Sequence, residues 1–74
     1  MIHYRDRTTL HEAQQLVGGY VEVYVLPDKR TMLCNENGVA ERLPYNTEAT
    51  QLAHKGTEIV GDVVVLPAKN RQFK

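Results

Sequence analysis

Residues 20–35 read YVEVYVLPDKRTMLCN, two apolar runs on either side of a proline-led polar tetrad. Tyr20 to Leu26 alternates strictly, so Val21, Val23 and Val25 share one face of a strand and Tyr20, Glu22, Tyr24 and Leu26 the other. Pro27 presets φ for a turn, and the Asp28 carboxylate is placed to bond the backbone just beyond it. Thr31 to Asn35 therefore returns antiparallel, and this hairpin is the seed of a sheet.

On the N-terminal side, Thr9-Leu10-His11-Glu12 has the form of a capping box, in which hydroxyl and carboxylate satisfy each other's backbone N–H groups. Leu10, Ala13, Leu16 and Val17 follow at helical spacing, and Gly18-Gly19 supplies a left-handed stop, which predicts a helix over 10–17. Ile2 to Tyr4 leaves room for a short leading strand. On the C-terminal side, Asn37-Gly38 is the favoured pair for a type I′ hairpin, which predicts a third strand over Val39 to Leu43, ended by Pro44. Asn46 is positioned to cap a second helix over Thr47 to Lys55 that buries Ala49, Leu52 and Ala53 and stops at Gly56. Glu58 to Leu66 reads as a strand interrupted by a bulge or bend at Gly61-Asp62. Val63 to Leu66 is apolar on both faces, as a central or doubly covered strand must be. The expected fold is a single α+β domain: a mostly antiparallel sheet of about four strands with two short helices on one face. Its core lies in residues 9–66, and a frayed basic tail occupies residues 68–74.

With 74 residues the chain has room for one domain and a small core, and self-association into a homo-oligomer is the expected source of further stability. Nine basic residues balance nine acidic ones, so no global field draws nucleic acid or an anionic membrane to the protein. The local exception is Lys29 and Arg30 together with the tail cations Lys69, Arg71 and Lys74, the basis of a weaker alternative in which the protein touches nucleic acid. The single cysteine, Cys34, cannot form an internal disulfide, and the N-terminal residues lack the apolar core of a signal peptide. A reducing cytoplasm is the expected location, and no apolar run approaches the ~20 residues that span a bilayer.

Catalysis needs a nucleophile, a base and an orienting group that converge. Cys34 shares no motif with His3, His11 or His54, and it sits in a predicted strand where a small hydrophobe is the usual occupant. No catalytic residue, cofactor or metal site is assigned, since one cysteine and three scattered histidines do not form a ligand set. Gly18-Gly19 follows a helix and precedes a strand, the reverse of a phosphate loop. What remains is a polar and aromatic group: Tyr20, Tyr24, Asn35, Tyr45 and Asn46. The tyrosines either shield a small core or form, with the asparagine amides, a platform for a planar ligand or a partner protein. Asn37-Gly38 is accounted for by the hairpin and Asn46 by the cap, which leaves Asn35 without a local reason.

Four ordered blocks, Leu16-Val17-Gly18-Gly19-Tyr20-Val21-Glu22-Val23, Cys34 to Gly38, Leu43-Pro44-Tyr45-Asn46 with Ala49-Thr50, and Ile59 to Val65, resemble the small-protein family known as domain of unknown function 3846. The resemblance covers the chain from about residue 16 to residue 65. The N-terminal segment departs from the family in being short. The resemblance implies a phage or mobile-element origin and a small binding protein directed at a host protein or signalling molecule. It implies no particular activity.

Overall fold

The computed structural model describes residues 1–68. Its elements run β1 (Ile2–Tyr4), α1 (Leu10–Val17), β2 (Val21–Val25), β3 (Thr31–Asn35), α2 (Thr47–Leu52) and β4 (Val63–Leu66). The opening hairpin forms as read: β2 pairs antiparallel with β3, Val21 opposite Asn35 and Val25 opposite Thr31. In the turn Asp28 Oδ1 accepts from the Arg30 N–H at 3.0 Å, and Lys29 takes the left-handed conformation at φ 77°. The sheet order is β1-β4-β3-β2, with β3 antiparallel to β4 and β1 parallel to β4. The expected four-stranded α+β domain is therefore present, with a mixed rather than purely antiparallel sheet.

The position of β4 follows from its composition. Val63, Val64, Val65 and Leu66 are all buried, so both faces of this central strand require cover. On one face Leu33, Val64 and Leu66 pack with Ala13 and Val17 of α1. On the other, Met32, Val63 and Val65 pack with Ala49 and Ala53 beside α2, and with Leu26 and Ile59. Each such valine or leucine contributes about 1.5–3 kcal/mol by leaving water. The two helices thus flank opposite faces, which corrects the expectation that both lie on one. A strand apolar on both sides cannot be buried by helices on one side alone.

α1 has the expected bounds. Thr9 Oγ1 accepts from the Glu12 N–H, Glu12 Oε1 accepts from the Thr9 N–H, each at 3.1 Å, and Gly18 closes the helix at φ 79°. Asn46 caps α2 as expected, but the helix stops at Leu52 rather than Lys55. Ala53 is extended at ψ 170°, and Gly56 at φ 92° serves the turn that follows.

The third strand does not form. Asn35 Oδ1 accepts the Asn37 N–H at 2.7 Å, and the next N–H groups bond locally, Gly38 to Asn35, Glu41 to Asn37, Arg42 to Val39 and Leu43 to Gly38. An asparagine that bonds its own backbone two residues on competes with a ladder, and here it wins. Gly38 is needed for space rather than for φ, because a Cβ there would lie 2.8 Å from Val60 Cγ2. Among the described residues, no helix is long and apolar enough to cross a membrane.

Candidate functional site

The face of β2 opposite α1 presents Glu22 and Tyr24, and Tyr24 is fixed at both ends. Its ring packs against the core group of Met32, Val63 and Val65, and meets His54 edge-on with centroids 5.7 Å apart. Its hydroxyl donates to Thr57 Oγ1 at 3.3 Å and accepts from the His54 N–H at 2.9 Å. Beside it on β3, opposite Glu22, lies Cys34. Burial, reinforced by the neighbouring Glu22 carboxylate, pushes the Cys34 thiol up to about 12. A thiol so held is almost wholly protonated at neutral pH and is a packing residue, not a nucleophile.

These side chains form the floor of a groove of about 210 Å³, continued by Ile59 and Val60. Glu22, Glu36 and Glu58 border it, all three exposed. Among the described residues, no lysine or arginine forms an ion pair with them. The groove therefore joins an apolar, tyrosine-bearing floor to an electronegative rim. Such a surface repels phosphate and attracts a cation with an apolar stem. Among the described residues, no set of histidines, cysteines and carboxylates could hold a metal.

The asparagines that were candidates for ligand contact are spent inside the fold. Asn35 borders the groove, but its Nδ2 donates to the Val17 carbonyl at 3.1 Å, tying the end of α1 to β3. Gly19 makes room for that amide, since a Cβ there would come within 2.9 Å of it. Asn46 is buried away from the groove, with Oδ1 on the Ala49 N–H and Nδ2 donating to the Gly61 carbonyl at 2.8 Å and the Met1 carbonyl at 3.3 Å. Neither amide is left for a ligand. Tyr45 lies in the bridge to Val60, half-exposed, and Tyr20 precedes β2 with 69% of its surface in solvent. Of the candidate group, only Tyr24 and Asn35 come together at the groove.

Sequence reasoning passed over Glu36 and Glu58. Only Glu22 carried a signal, through its alternation with Tyr24, while the other two reach the groove by loop paths that no periodicity marks. Of the basic candidates, Arg30 is held by Asp28, with Nη2 to Oδ2 at 2.8 Å, and Lys29 is exposed in the turn. The expected basic tail falls, from Lys69 onward, outside the described residues. A wider depression of about 440 Å³ lies between Tyr4, Arg5, Arg30 and Pro67. Both of its guanidiniums are engaged, Arg30 by Asp28 and Arg5 by the Tyr4 carbonyl.

The blocks that carried the family resemblance meet in space. Asn46 N–H donates to the Ile59 carbonyl, Gly61 N–H to the Pro44 carbonyl, and Thr50 Oγ1 exchanges hydrogen bonds with the backbone of Ile59. No curated protein and no solved structure matches the chain. The profile of one family, described as a domain of unknown function (DUF3846), matches residues 2–74, so β1 is included, and the chain belongs to that family.

Proposed function

We propose that the protein is a non-enzymatic binding module whose groove accepts a lysine or arginine side chain from a partner protein. The observation that carries this reading is the combination of the Tyr24, Cys34 and Ile59 floor with a rim of Glu22, Glu36 and Glu58 that, among the described residues, no lysine or arginine pairs. A guanidinium laid over such a floor gains from the carboxylates while its methylenes cover apolar surface, and Tyr24 adds a ring already held in place. A mobile-element origin, implied by the family resemblance, makes a host protein the natural source of that side chain. The same rim disfavours a nucleotide, since the phosphates would face three carboxylates with no paired cation in the groove.

Backbone NMR titration with a short capped arginine peptide tests the reading. The expected shifts centre on Tyr24, Cys34 and Glu58. Glu22→Gln combined with Glu58→Gln is expected to weaken binding about tenfold at low salt and to flatten its salt dependence. Shifts scattered over the surface, or a rise in melting temperature with a dinucleotide but none with the peptide, would overturn it.

A further inference from the structure

The outer edge of β2 is self-complementary. β2 is the last strand of the sheet, and among the described residues nothing pairs with its far side. The β2–β3 ladder continues past both ends of β2: Glu36 N–H donates to the Tyr20 carbonyl at 2.8 Å and Leu26 N–H to the Arg30 carbonyl at 2.8 Å. Both contacts fall in the register of Val21 opposite Asn35. Hydrogen-bonded pairs alternate along an antiparallel ladder, so Tyr20, Glu22, Tyr24 and Leu26 direct their N–H and C=O groups inward to β3. Val21, Val23 and Val25 direct theirs outward, to the free edge.

The side chains of those same valines lie on the α1 face, and the helix does not reach far enough to cover them. Val21 packs against the α1 layer, whereas Val23 is 53% and Val25 48% exposed. The edge is β-branched and carries one charge, Glu22, which is the composition that proteins avoid on an unprotected strand. The opposite edge, β1, is only three residues long and runs into Arg5, Asp6 and Arg7.

We propose that β2 pairs antiparallel with β2 of a second copy about a two-fold axis through Val23, joining two sheets into one. This register is singled out by the pattern. An antiparallel two-fold with a hydrogen-bonded residue on its axis needs an outward-facing residue there, and Val23 is the central one. Val23 then exchanges both hydrogen bonds with the partner's Val23, and Val21 does so with the partner's Val25, about six bonds in all. The side chains form an unbroken row of valines on one face. On the other face Glu22 stands opposite the partner's Tyr24, so the two glutamates never face each other. The proposal rests on the ladder and not on the groove's ligand, although the pairing sets Glu22 and Tyr24 of each groove beside the partner's edge.

Cysteine cross-linking in the full chain tests both the partner and the register. Val23→Cys places two thiols on the axis, where a hydrogen-bonded pair has Cα atoms about 5.5 Å apart, within the span of a disulfide. Val25→Cys leaves its two thiols about 14 Å apart along the strands. Disulfide-linked dimer is expected from Val23→Cys at least about tenfold faster than from Val25→Cys, with the native Cys34 present in both. Sedimentation is expected to show the wild type at twice the 8.4 kDa of one chain. Val23→Lys and Val23→Glu should each sediment as monomers and form a heterodimer when mixed, which an unfolded variant would not do. A wild type that stays monomeric at its solubility limit, equal cross-linking at the two positions, or a homodimer of Val23→Lys as tight as wild type would overturn the proposal.

Discussion

Asn46 shows how much one side chain can hold. Its oxygen caps α2 and its nitrogen donates to two carbonyls, Gly61 before β4 and Met1 before β1, so one buried amide joins three segments distant in sequence. Asn46→Ala removes a cap and takes from the buried Ala49 N–H and Gly61 carbonyl their Asn46 partner, while the Met1 carbonyl keeps the Val63 N–H, and a loss of about 2–3 kcal/mol in urea unfolding is expected. Ligand affinity at the groove should be unchanged, because the amide does not touch it. Cys34 makes an equally local prediction. With its thiol held near 12 by burial, alkylation at neutral pH should run far slower than for a free thiol and should accelerate in step with unfolding by urea. Rapid alkylation of the folded protein would show that the β3 packing is looser than described.

At the scale of the element, what could be read in the sequence was whatever neighbouring residues decide among themselves. The capping box, the glycine stop and the Pro27-Asp28 turn each act within a few residues, and α1, β3 and the turn appear where those signals place them. Asn37-Gly38 misled because two local signals overlapped. The Asn-Gly pair favours a hairpin, but Asn35 two residues earlier captures the Asn37 N–H and coils the segment instead. α1 also carries a pH dependence. The Glu12 carboxyl is held below its usual range, first by the backbone N–H of Thr9 and then by its hydroxyl. A carboxylate with a depressed folded value contributes stability that is fully present above its unfolded pKa and is lost as pH falls through the folded one. The stability of the wild type should therefore drop more steeply on acidification below about pH 4.5 than that of Glu12→Gln, as followed by the urea midpoint.

For the whole molecule, the sequence signalled a doubly covered strand at Val63 to Leu66 but not which helix would cover which face. That choice depends on the parity with which α1 and α2 meet the sheet, and parity is a property of tertiary packing, invisible to local spacing. The same holds for the groove, whose rim comes from β2, from the end of β3 and from the loop ahead of β4. The blocks that mark the family read differently once placed. Leu43 to Asn46, Ala49-Thr50 and Ile59 to Gly61 clasp one another by backbone and buried hydrogen bonds, so they specify the scaffold, while the rim carboxylates Glu22 and Glu36 lie in the two earlier blocks and Glu58 outside all four.

The central position of β4 has a consequence for how the chain comes to be folded. It is the last strand along the sequence among the described residues, yet both β1 and β3 lean on it, and Ile2 waits for Val63. Until residues 63–66 have emerged from the ribosome, the largest piece of sheet that can exist is the β2–β3 hairpin, and an isolated hairpin is at best marginal in water. The four-stranded sheet must then wait for residues 63–66, and the long loops it closes place this domain among the slower small ones. During that interval the valine edge of β2 is already synthesised and has only its hairpin partner beside it.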